Sequence, residues 1–118
     1  MQIETHQING TYIAEIHSEG IILQTAQDGV EILGNLYYQG FDKIILQEKS
    51  ITPEFFDLKN GMAGEVLQKF SNYRVRLAIV GDFLPYTGKS IQAFMHESNQ
   101  TRHINFVDSV AKAIEVLL

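Results

Sequence analysis

No cysteine occurs in the 118 residues, and only two prolines. Without cysteine the chain has no disulfide, no thiolate metal site and no cysteine nucleophile. Two prolines and nine glycines leave no room for a low-complexity linker. Positive charge is also scarce. Nine Lys and Arg stand against fourteen Asp and Glu, a net charge of −5. Nucleic acid is therefore not the expected partner, because binding phosphates needs a positive field. Met1-Gln2-Ile3-Glu4 lacks the basic and apolar regions of a signal peptide, and no apolar run approaches a membrane span. A cytoplasmic protein without a membrane partner is expected.

What is present is a folding domain. Hydrophobic residues make up 45% and charged residues 19%, which fits neither a disordered tail nor a coiled coil. The length suits one domain over residues 1–118, large enough to bury roughly two-thirds of its unfolded surface.

Hydrophobic periodicity sets the element order. Met1 to His6 and Thr11 to His17 alternate apolar with polar around Asn9-Gly10, a hairpin signal. From Leu23 to Gly40 the period changes, and Ala26, Val30, Leu33 and Tyr37 predict one inward helix face, with Thr25 and Asp28 at its start. Lys43 to Gln47 holds the apolar run of a central strand. Pro53 opens a helical turn, and Asp57 is placed to cap a helix from Leu58 to Ser71. Arg74 to Val80 is a second buried strand. Ser90 to Ser98 follows as a helix, Ile104 to Val107 as a strand and Ser109 to Leu118 as a helix. The order ββαβαβαβα predicts an α/β fold with a mixed, mainly parallel sheet and right-handed crossovers.

That plan resembles the STAS domain of anti-sigma factor antagonists and sulfate transporters, so the fold expected is STAS-like. In those antagonists an Asp-Ser-Ser-Gly loop opens a helix and carries a regulatory phosphoserine. Here Asp57 and Gly61 correspond, but Leu58, Lys59 and Asn60 lie between them, so a phosphoserine switch is not implied. More locally, Phe55-Phe56-Asp57-Leu58, Ala63-Gly64-Glu65, Leu67-Gln68-Lys69-Phe70, Asn72-Tyr73, Ala78-Ile79-Val80-Gly81-Asp82-Phe83 and Glu97-Ser98-Asn99 resemble a bacterial family known as domain of unknown function 4180. That likeness implies a family and no activity.

No complete catalytic motif is present. Six residues lie between Gly81 and Gly88-Lys89-Ser90 where a phosphate-binding loop has four, and Pro85 removes a donor. His6 and His17 can face each other across the hairpin, but with His96 and His103 they form no local metal pattern, so no metal and no cofactor are expected. Glu48 and Asp82 follow strands directly, and ligands of open α/β sheets bind beyond those strand ends. Gly61, Ala63 and Gly64 leave room for a close backbone approach. Of the adjacent Phe55 and Phe56, one is expected to line an exposed patch.

The reading favoured is a regulatory protein-binding domain, a homodimer being compatible with it. Its binding residues are Phe55, Phe56, Asp57, Lys59, Asn60, Gly61, Glu65, Asp82 and Glu97, with Phe55 as apolar anchor and Asp57 and Lys59 supplying charge specificity. The alternative is a small-molecule sensor or enzyme with a pocket at the carboxyl ends of the parallel strands, using Asp57, Asp82 and Glu97.

Overall fold

Asn9 and Gly10 both adopt left-handed backbone, φ 51° and 81°, the combination a two-residue hairpin turn requires and Asn-Gly accepts most readily. Strands β1 (Gln2–Ile8) and β2 (Thr11–His17) therefore pair antiparallel, Ile8 opposite Thr11 and Gln2 opposite His17. In the computed structural model, which describes Met1 to Leu118, β2 then runs parallel to β3 (Lys43–Gln47). Parallel pairing continues to β4 (Arg76–Val80) and β5 (Ile104–Val107). The sheet order is β1-β2-β3-β4-β5. Helices α1 (Ala26–Tyr38), α2 (Met62–Asn72) and α3 (Lys89–Thr101) connect the parallel strands, and α4 (Val110–Leu117) follows β5. This is the mixed α/β plan expected from the sequence.

Each parallel strand is added beside its predecessor, so right-handed crossovers send α1, α2 and α3 to one face. There Leu33, Val66 and Ile91 of the helices meet Ile44, Leu46, Leu77 and Ile79 of the strands in the main core. The opposite face packs Ile13, Ile45, Ala78 and Val80 against Ala113 and Leu117 of α4. That single helix reaches β3, β4 and β5. The guanidinium of Arg76 donates to the carbonyls of Val116 and Leu117 and fastens the end of α4 to the sheet.

Three expectations need correction. The inward face of α1 is Gly29, Ile32, Leu33 and Leu36, whereas Tyr37 is half exposed. The helix is rotated because Gly29 lies against α2, where an added Cβ would meet Val66 Cγ2 at 3.0 Å. The capping box itself forms as expected, with Thr25 Oγ1 accepting from the Asp28 amide at 3.1 Å and Asp28 Oδ2 from the Thr25 amide at 3.1 Å. Next, Leu58 to Ser71 is not one helix. A 3₁₀ turn (Leu58–Asn60) ends at Gly61, whose φ of 79° breaks the axis before α2 begins. Finally, β4 starts at Arg76 rather than Arg74, which turns left-handed at φ 57°.

β5 is an edge strand, and α3 shields it. Asn99 Oδ1 accepts from the Phe106 amide at 2.7 Å, while Asn99 Nδ2 donates to the Phe106 carbonyl at 3.3 Å. One carboxamide thus stands in for a neighbouring strand. Asn99→Ala leaves both backbone groups of a buried residue without that partner. We expect a loss of about 1–3 kcal/mol, read as a lower urea midpoint at unchanged m.

Candidate functional site

The carboxyl ends of β3 and β4 are joined by Glu48. It opens a 3₁₀ turn (Glu48–Ser50) directly after β3. Ser50 is fully buried, its hydroxyl 2.7 Å from that of Ser18. Its carbonyl accepts the amides of Ile22 and Leu23 at 2.9 and 3.1 Å. The turn is therefore fixed to the β2–α1 connection. From it the Glu48 carboxylate reaches over to the segment after β4. Oε1 accepts the Asp82 amide at 3.0 Å and Oε2 accepts the Tyr86 hydroxyl at 3.0 Å.

That crossing passes directly over Gly81. A Cβ at Gly81 would overlap the Glu48 side chain, so glycine is required here for space and not for its backbone angles. Beyond it, Asp82 Oδ1 accepts the Leu84 amide at 3.1 Å. The Tyr86 ring stacks on Phe56 with centroids 4.4 Å apart, and Phe83 meets Phe106 edge-on at 5.4 Å. Burial is the main cause that pushes the Tyr86 phenol up to about 12, followed by its hydrogen bond to Glu48 and the charge of Glu48. At neutral pH Tyr86 therefore keeps its proton and remains a donor.

Two depressions flank the stacked pair. Tyr86 lines an open trough of about 770 Å³ with Phe83, Leu84, Gln92, Met95, Phe106, Asp82, Asp108 and Lys112. Phe56 lines a groove of about 360 Å³ between Asp57, Leu58 and Lys59 on one side and Gly88, Ser90 and Ile91 on the other. Leu84 stands out at the tip of the 81–86 segment with 84% of its surface exposed.

The expected site residues divide between these features. Asp57, Lys59 and Asp82 are exposed, the first two lining the groove and the third the trough. Asp57 caps the 3₁₀ turn through the Lys59 amide at 3.3 Å, rather than capping α2. Asn60 latches the turn, donating to the Glu54 carbonyl at 2.7 Å and accepting from the Met62 amide at 2.9 Å. Gly61 supplies the left-handed joint, and neither it nor Gly64 has a neighbour that a Cβ would touch. Within the chain that space is open at both glycines, while Ala63 between them is buried.

Phe55 is fully buried and Phe56 nearly so, which corrects the expectation of an exposed aromatic anchor. Both lie in a 3₁₀ turn (Pro53–Phe56), where successive side chains diverge by about 120°. One points into the core and the other under Tyr86, and both directions are covered. Glu65 is exposed on the first turn of α2, and Glu97 is exposed on α3 and lines neither depression. Asp57, Asp82 and Glu97 therefore do not converge. Glu48, Tyr86 and Leu84 hold or tip the rim in their place. The position of Glu48 at a strand end and the glycine at 81 were the signals for this link, but their pairing requires the strand register.

With a five-stranded mixed sheet that carries three helices on one face and α4 on the other, the protein is an α/β domain whose candidate site lies at its parallel strand ends. The chain belongs to the family described as Domain of unknown function (DUF4180), which it matches over residues 8–117. No curated protein matches it. Among solved structures it is similar to a Thermotoga maritima protein provisionally described as an anti-sigma factor antagonist. The identity is 12% and the TM-score 0.47, over 98% of this chain and 93% of that one. No helix is long and apolar enough to cross a membrane.

Two measurements test the Glu48 link. Gly81→Ala displaces the carboxylate, and an overpacking loss of about 1–3 kcal/mol is expected in denaturant unfolding. Because the folded Tyr86 holds its proton more tightly than the unfolded one, stability from this group is intact below pH 10 and is lost as pH rises from 10 towards about 12. Tyr86→Phe should remove that part of the alkaline decline and delete one high-titrating tyrosine from the ultraviolet titration.

Proposed function

We propose that the rim formed by residues 57–59 and 82–86 docks a segment of a partner protein, as a regulatory binding module would. The observation that carries this reading is Leu84. It is a leucine held 84% exposed by an ordered segment, continuous with the apolar wall that Phe83, Met95 and Phe106 give the trough. A lone exposed leucine needs no explanation, but one extending an apolar depression forms a contiguous patch. The ordered 81–86 segment also reduces the entropy cost of docking, since Glu48 and Phe56 already hold it in place.

Charge favours a basic segment with an apolar side chain for the trough. Asp57 and Asp82 are exposed at the two parts of the rim, and the chain carries −5 overall. Opposite charge on the partner would speed encounter and set register. A second reading, a small-molecule sensor or enzyme, is favoured by the trough alone. Its volume of about 770 Å³ falls in the roughly 300–1,000 Å³ range of ligand sites, with Gln92, Asp108 and Lys112 as polar groups.

Affinity capture from the source lysate separates the two. Tagged wild-type chain should retain a partner that Leu84→Asp and Asp57→Arg each lose by at least tenfold, while Glu97→Arg retains it. Leu84 and Glu97 are exposed, so those two changes should move stability by less than about 0.5 kcal/mol. Asp57→Arg also loses the cap on the Lys59 amide, at about 0.5–2 kcal/mol. A thermal melt of each variant confirms that it is folded. Equal capture by all variants contradicts the docking surface. A small molecule in native mass spectra, lost on Lys112→Glu, would establish the second reading, and a second copy of the chain as captured partner would establish a homodimer.

A further inference from the structure

On the sheet face that α4 covers from β3 onward, the hairpin carries a different constellation. Residues two apart share a face of a strand. Glu4 and His6 of β1 thus lie beside Glu15 and His17 of β2, with Glu4 directly opposite Glu15. Their side-chain tips close a ring in which histidine and carboxylate alternate. His6 Nε2 is 2.8 Å from Glu15 Oε1, and Glu15 Oε2 is 3.5 Å from His17 Nε2. His17 Nε2 is 2.9 Å from Glu4 Oε1, and Glu4 Oε2 is 3.8 Å from His6 Nε2.

We propose that this ring is a binding site for a divalent first-row transition ion such as Zn²⁺. Ligand atoms of Glu4, Glu15 and His17 lie within 4.8 Å of one another, and His6 stands outside that set as a partner of Glu15, its Nε2 2.8 Å from Glu15 Oε1. A tetrahedral site with metal–ligand distances of 2.0–2.1 Å places its donors about 3.4 Å apart. The separations of His17 Nε2 from Glu4 Oε1 and from Glu15 Oε2, 2.9 and 3.5 Å, bracket that value, so these three residues can supply three donors and leave the fourth position to water. An imidazole with two carboxylates suits zinc, cobalt, iron or manganese and disfavours magnesium and calcium, which take oxygen ligands.

The site is also built. The Glu15 side chain is only 5% exposed, an uncommon burial for a carboxylate unless it is paired. Gln47 of β3 donates to Glu15 Oε2 at 3.1 Å, the outer-shell support that orients a metal-binding carboxylate. Glu4 and His17 are 56% and 44% exposed and leave an entry path. No short motif announces the set, because its members come in i, i+2 pairs from two strands and meet only through the hairpin register. The expectation of no metal rested on spacing alone.

Calorimetric titration of the chelator-treated full chain with Zn²⁺ tests the site. One ion per chain is expected, with a thermal midpoint that rises with Zn²⁺ and not with Mg²⁺, and with Co²⁺ giving the visible spectrum of a four-coordinate site. His17→Gln and His6→Gln should each weaken Zn²⁺ binding at least tenfold, whereas the double variant His96→Gln, His103→Gln should bind as wild type. Glu4→Gln, at an exposed position, serves if either histidine variant unfolds without metal. Failure to bind Zn²⁺, affinity unchanged in His17→Gln or Glu4→Gln, or binding lost in the His96, His103 double variant overturns the proposal.

Discussion

The Glu48 carboxylate crossing Gly81 is the interaction on which the strand-end surface depends. Parallel strands end in separate connections that have no reason to stay together once the ladder stops. Glu48 joins two of them with one side chain, holding the Asp82 amide and the Tyr86 hydroxyl. Hydrogen bonds to a charged acceptor are worth roughly 1.5–3 kcal/mol, and two on one carboxylate make the 81–86 segment part of the fold. The Phe56–Tyr86 stack then joins it to the Pro53–Phe56 turn. Trough, groove and exposed Leu84 all follow from that anchoring.

The sheet is asymmetric, and the asymmetry explains where polar side chains gather. Three crossover helices cover one face. On the other, α4 lies over β3, β4 and β5. The hairpin face beyond it buries Glu15 among His6, His17 and Gln47 instead of among leucines. A carboxylate in such a position needs its partners. The hairpin therefore carries a polar cluster beside the small apolar core under α4, remote in sequence from the strand-end rim.

Element order was legible because periodicity and turn chemistry are local. Asn9-Gly10, the capping box of Thr25 with Asp28, and the apolar runs of β3 and β4 each declare themselves within a few residues. The face of α1 departs from its apolar periodicity because Gly29, which has no side chain to count as apolar, is the point where α2 comes close. The continuous helix from Leu58 failed at Gly61, where a left-handed residue reads in sequence like any other glycine. The site was only partly legible. Asp57 and Lys59 line the groove and Asp82 lines the trough, yet Phe55 is core, and the partners Glu48–Tyr86 and Glu4–His17 are joined by register and not by spacing.

The direct test of this account is amide hydrogen exchange in wild type and Glu48→Ala. The Asp82 amide, which donates to Glu48, and the Leu84 amide, which donates to Asp82, should exchange at least tenfold faster in the variant while the amides of β4 keep their protection. Unchanged exchange at Asp82 would mean that Glu48 does not hold the segment and that the strand-end surface is maintained by other contacts.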